Sequence, residues 1–185
     1  MDEHDRRNRR AESFQKFINS LKEESDRGCV IVSAAILDDI LSQLLKRRLA
    51  PSLEKKDELL DDGSAAFSTF SARINLAYRV GLVRSNVRAT LHLLRKIRND
   101  FAHISDPKTF DSHSVKSRVH EIFTLNKEIM DSFSESMIDH GLSKSGNSNL
   151  IEVFGTRSAY EFLIASAAAF LLDAVNDVEH IEPLE

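Results

Sequence analysis

Leu93-Leu94-Arg95-Lys96-Ile97-Arg98-Asn99-Asp100-Phe101-Ala102-His103 is the stretch that decides how the chain is read. Wound at about 100° per residue, Thr90, Leu93, Leu94, Ile97, Phe101 and Ile104 fall on one side of a helix, and Arg95, Arg98, Asn99 and His103 on the other. The apolar side must face a core, so two guanidiniums, an amide and an imidazole are presented outward together. Asn99 and His103 are four residues apart and share a face. Arg98 lies about 140° around from His103, so one ligand atom does not easily meet both on a straight helix. Reach of the Arg98 side chain, loosening of the helix near His103, or pairing with a second copy of the chain would each close that gap.

Working outward, the chain has 185 residues, 42% hydrophobic and 29% charged, the profile of one globular domain with a substantial core. Only 6 Gly and 3 Pro interrupt it, which favours helices. No segment alternates with period two and no internal repeat is visible, so the expected fold is all-α, a single-domain bundle of about six helices. The formal net charge of −4 argues against strong direct binding of duplex DNA, whose readers usually carry a basic domain. Cys29 is the only cysteine, which excludes an intrachain disulfide and a cysteine-rich zinc site. The charged start, Met1 to Arg10, lacks the apolar core of a signal peptide. The most apolar run, Ala159 to Leu172, is interrupted by Glu161 and too short to span a bilayer. No membrane association and a cytoplasmic location are expected.

In chain order, residues 1–10 read as a disordered lead, 11–178 as the helical domain and 179–185 as a tail. Phe14, Phe17, Ile18 and Leu21 make a short amphipathic helix. Ser25 caps a second helix to about Leu49, burying Val30, Ala34, Leu37, Leu41, Leu44 and Leu45, with Gly28 allowing close approach of another backbone. A turn at Asp62-Gly63-Ser64 precedes a third helix, with Phe70, Ile74, Ala77 and Tyr78 inward and Gly81 ending it. Ser85 or Asn86 caps the opening helix, which Asp106-Pro107 closes. Ser114 caps the next helix, whose inward residues are Val119, Ile122, Phe123, Ile129, Met130 and Phe133. Gly141 to Asn149 reads as a loop, and Ser158 with Glu161 as a capping box for a last helix to about Asp177.

Arg98-Asn99-Asp100-Phe101-Ala102-His103 resembles the Arg-Asn-x-x-x-His signature of the HEPN superfamily of helical domains, many of which are metal-independent ribonucleases acting as dimers. A longer resemblance runs through roughly residues 20 to 125. Glu24-Ser25-Asp26-Arg27-Gly28 leading into Ala34-Ala35-Ile36-Leu37-Asp38-Asp39 looks like the mannitol operon repressor-like family. Phe70-Ser71-Ala72-Arg73-Ile74-Asn75-Leu76-Ala77-Tyr78 followed by Gly81-Leu82 looks like it too, as does Ile97 to His103. The two resemblances are read as one HEPN-like fold. They imply a homodimer and a regulatory role.

The residue chemistry suits cleavage of single-stranded RNA, which carries its own nucleophile in the 2′-hydroxyl and needs no metal. Histidine's reference pKa of about 6.5 suits the residue type at position 103, His103, to proton transfer. Arg98 forks onto phosphate oxygens and stays charged, suiting the developing phosphorane. Asn99 is expected to orient His103 or bind the phosphate. Arg95, Asp100, Asp26 and Arg27 are supporting candidates, Asp100 as a bias on the histidine's charge and Asp26-Arg27 equally well as a helix cap with a local ion pair. No cofactor or metal is expected: the seven histidines form no His-x-x-x-His or His-Glu-x-x-His pair. Two readings stay open. One is a metal-independent endoribonuclease leaving 2′,3′-cyclic phosphate ends, or a protein that binds RNA at the same site. The other is a catalytically silent transcriptional co-regulator that acts on a transcription factor or another protein partner.

Overall fold

The computed structural model describes residues 3–61, 63–103, 107–128, 130, 131 and 150–183. Among the described residues six helices are delimited: α1 (Glu3–Lys22), α2 (Asp26–Arg48), α3 (Phe70–Arg79), α4 (Ser85–Ala102), α5 (His113–Leu125) and α6 (Leu150–Val175). There is no strand among the described residues, so the all-α expectation holds. α2 is the central helix and packs on α1, α3, α4 and α6, while α4 reaches α2, α3 and α5.

The local chemistry explains the boundaries. Ser25 Oγ accepts from the Gly28 amide at 3.0 Å and opens α2 as expected. Thr69 Oγ1 does the same for Ala72 at the start of α3. At the other end of α3, Gly81 takes φ +77°, the Leu82 amide bonds the Ala77 carbonyl and the Gly81 amide bonds that of Tyr78. That is a Schellman closure, which a side chain at position 81 would strain. All six residues expected inward on α2 are buried. On α4 so are Thr90, Leu93, Leu94, Ile97 and Phe101, with Leu91 in addition. Phe110 stacks between Phe101 and Tyr160, with ring centroids 5.6 and 5.0 Å away, tying the end of α4 to α6.

Several expectations are corrected. Glu3 to Arg10 are the first turns of α1 rather than a disordered lead. Three of their arginines are anchored at the end of α6 and just beyond it, Arg6 to Asp177 at 2.7 Å, Arg9 and Arg10 to Asp173 at 2.9 and 2.7 Å. Cross-helix ion pairs, invisible to a search for an apolar stripe, hold this end. At the far terminus the Ile181 amide bonds the Arg48 carbonyl at 2.8 Å, strapping the tail to the end of α2. Tyr78 is 41% exposed, because α3 is short and its last turn passes the edge of the core. What crowds Gly28 is the Glu24 side chain, not another backbone.

The caps of three helices differ from expectation. α4 starts at Ser85 with Arg84 at the cap position and no side-chain cap bond. α5 starts one residue before Ser114, with Ser112 at the cap. Ser158 lies inside α6, whose break falls at Gly155 (φ 81°, ψ 162°), and Glu161 is committed to Arg157. Asp62, Ile104, Asp106, Ile129, Phe133 and Gly141 to Asn149 lie outside the described residues.

α2 and α6 are each long and apolar enough to cross a membrane, but half of each apolar window is buried inside the bundle. The run Ala159 to Leu172 is thus part of a longer core helix, packed on α1, α2 and α5.

Candidate functional site

The last turn of α4 carries the motif. Arg98 and His103 are exposed and Asn99 half-buried, as the helical wheel requires. His103 is the cap residue, with φ −73° and ψ 119°, so the chain has left the helix there. Its ring direction is therefore not fixed by the rotation that separates positions 98 and 103 on an ideal helix. Arg98 Nη1 donates to Asn99 Oδ1 at 3.1 Å, so Asn99 orients the guanidinium rather than the imidazole.

Asp100, the only carboxylate on α4, is committed to an ion pair with Arg118 of α5. Asp26 is likewise committed elsewhere: its carboxylate accepts from Arg157 Nη1 at 2.8 Å and from the Phe110 amide at 3.1 Å. Arg157 Nε also bonds buried Glu161 at 2.8 Å, so Asp26 belongs to a clamp between α2, α6 and the segment before α5. Arg27 alone touches the motif, its Nη2 lying 3.4 Å from the Ala102 carbonyl. That contact places a cation on an unpaired carbonyl at the C-terminal end of α4, where charge and dipole agree.

Extending the outer face of α4 backward brings in residues that the motif search passed over. Arg88, His92, Arg95 and Asn99 recur at i, i+4, i+7 and i+11 and form one row. Asn75 of α3 organises its far end: Asn75 Oδ1 accepts from Arg88 Nε at 3.1 Å and Nη2 at 2.8 Å, and lies 3.1 Å from His92 Nε2. Since that oxygen only accepts, Nε2 is the nitrogen of His92 that carries the proton. Burial, then the charges of Arg88, Arg95 and Lys96, lower the His92 pKa below the ordinary histidine value, which favours the neutral ring. The Arg88 guanidinium sits 5.4 Å from the centroid of exposed Tyr78. Arg95 is half-buried, and its Nε is a buried donor without an acceptor. The missed signal was simple: the stripe that holds Arg95 and Asn99 continues for two more turns toward the start of the helix.

Among the described residues no group of His, Cys, Asp and Glu is placed to hold a metal ion. Cys29 is fully buried, and burial followed by the Glu161 charge pushes its thiol up to about 12, so it is chemically quiet.

No family model and no curated protein matches the chain. Among solved structures, a chain of the MtlR–HPr complex from Escherichia coli is similar, with a TM-score of 0.58 and 16% identity. The match covers 87% of this chain and 98% of that one. The bundle described above therefore has an MtlR-like fold.

Proposed function

We propose that the chain is a regulatory protein of the mannitol repressor-like, HEPN type, acting in the cytoplasm as a homodimer, with a metal-independent RNA-cleaving or RNA-binding site on the outer face of α4. The observation that carries this reading is the charge segregation on that helix. Arg88, His92, Arg95, Lys96, Arg98 and His103 share its outer surface, and its only carboxylate is paired with Arg118. In a chain of net charge −4, such a face suits a polyanion.

Cleavage at this face needs only the side chains in hand. The 2′-hydroxyl oxygen bonds to phosphorus as His103 moves a proton, and the bond from phosphorus to the 5′-oxygen breaks, with the leaving oxygen taking a proton. Arg98, steadied by Asn99, stabilises the phosphorane charge. A second copy of the chain would supply a partner group to the same phosphate. The test is incubation of single-stranded RNA with purified protein in the presence of a chelator. Products ending in 2′,3′-cyclic phosphate, lost in His103→Ala, support the reading. Cleavage that persists in His103→Ala assigns the activity to a contaminant.

A second reading is favoured by the similar solved chain, which is in complex with HPr. On that reading the chain is a catalytically silent co-regulator that binds a protein partner. Titration calorimetry with an HPr-type protein tests it: a stoichiometric complex together with inert RNA selects this reading over the first.

A further inference from the structure

The row Arg88, His92, Arg95 and Asn99 climbs α4 in steps of about 4.5–6 Å, the rise of three or four helical residues. At its far end Tyr78 offers an exposed ring, and the Arg88 guanidinium is fixed over it by the two bonds to Asn75 Oδ1. Arg95, midway, is half-buried on the same row, so its side chain is held against the helix face. We propose that this row is a backbone track for single-stranded RNA: Arg88 and Arg95 contact phosphates, and Tyr78 stacks a base. The strand is thereby led along α4 toward Arg98 and His103.

The inference rests on the RNA reading of the α4 face and adds to it a direction and a footprint. Asn75 is a positioning residue: it holds Arg88 flat on Tyr78 and keeps the His92 Nε2 proton pointed into the protein. A single strand fits better than a duplex, because the charges lie in one file on a convex helix and the platform is a single ring. Stacking of this kind is tolerant of sequence, since every base has a π face.

The experiment is fluorescence anisotropy with a labelled single-stranded RNA of mixed sequence, titrated against the full chain across a salt series. Tyr78→Ala should weaken binding about five-fold or more, whereas Tyr78→Phe should keep it. Arg88→Gln and Arg95→Gln should each reduce the slope of log affinity against log salt by about 0.7. Lys96→Gln, exposed beside the row and free of packing duties, gives the same readout if either arginine variant folds poorly by circular dichroism. Arg47→Gln, on the far end of α2, should bind like the parent. If the parent binds RNA but Tyr78→Ala, Lys96→Gln and the arginine variants bind equally well, the track is wrong while the RNA reading stands. If the parent binds no RNA at low salt, both fall together.

Discussion

Arg157 and Asp26, 131 residues apart, are joined by a hydrogen-bonded ion pair of 2.8 Å. The same carboxylate receives the Phe110 amide, so one side chain fastens α2, α6 and the segment leading to α5. Replacing Asp26 by alanine leaves the Phe110 amide and Arg157 Nη1 without this acceptor, while Glu161 still holds Arg157 Nε. With both side chains about a third exposed, solvent softens the loss. Asp26→Ala should cost about 1–2 kcal/mol in urea unfolding, and Asp26→Asn less, because it keeps an acceptor for Phe110. Loss of a nucleic-acid activity with no loss of stability would return Asp26 to the functional site.

Asp173 holds the start of α1. Burial alone would raise its pKa, but the hydrogen bonds from Arg9 and Arg10 prevail and keep it below the ordinary carboxylate value. A depressed carboxylate contributes stability above its unfolded pKa of about 3.8 and loses it as pH falls through the folded value. Asp173→Asn should therefore cost about 2 kcal/mol at neutral pH, and the gap between parent and variant should close in the acid limb, below about pH 4. A constant gap down to the acid limb would show that packing, not charge, holds the helix.

His92 titrates in the opposite sense to a histidine beside a carboxylate. Its folded pKa lies below the unfolded value of about 6.5, so the unfolded chain takes up the proton first and folding loses stability as pH drops below that point. Nuclear magnetic resonance should find the His92 ring neutral at pH values where an exposed histidine is already charging. His92→Gln should flatten the acid side of the stability curve. An anion bound between Arg88 and Arg95 should raise the His92 pKa, because it cancels two of the charges that lower it. A midpoint at or above the ordinary value in free protein would show that burial and the neighbouring cations do not govern the ring.

The sequence was most legible where apolar spacing fixes a helix and least where polar contacts cross between helices. The core stripes of α2 and α4 followed from periodicity, because a buried face must recur every three or four residues. Tyr78 was misplaced because periodicity says which side faces in, not where the core ends. The helical start of α1 depends on Asp173 and Asp177, more than 160 residues away, which no local window contains. Within the site, the outward direction of Arg98 and His103 was readable, but the commitments of Asp26 to Arg157 and Asp100 to Arg118 were not. Each depends on a partner that only the packed bundle brings near.

The pairing of two chains at the motif can be tested without a structure of the dimer. Arg98 and His103 diverge by about 140° on an ideal helix, and Asn99 draws the Arg98 guanidinium toward itself. If the working site takes Arg98 from one copy and His103 from the other, Arg98→Ala and His103→Ala are each inactive as homodimers. Mixed after unfolding and refolding together, half the dimers pair one of each, and every such dimer holds one intact site and one doubly impaired one. The mixture should recover about a quarter of the parent cleavage rate, the statistical yield for two equivalent sites. If both groups act from the same copy, each site in the mixed dimer lacks one of them and the mixture stays dead. Placing Arg98→Lys on the His103→Ala chain should remove most of that recovery, since a point charge lacks the planar fork that meets two phosphate oxygens. Recovery by a quarter, lost when the His103→Ala chain also carries Arg98→Lys, would place the two side chains across the dimer axis. A silent mixture from two folded, dimeric variants would place them in one chain.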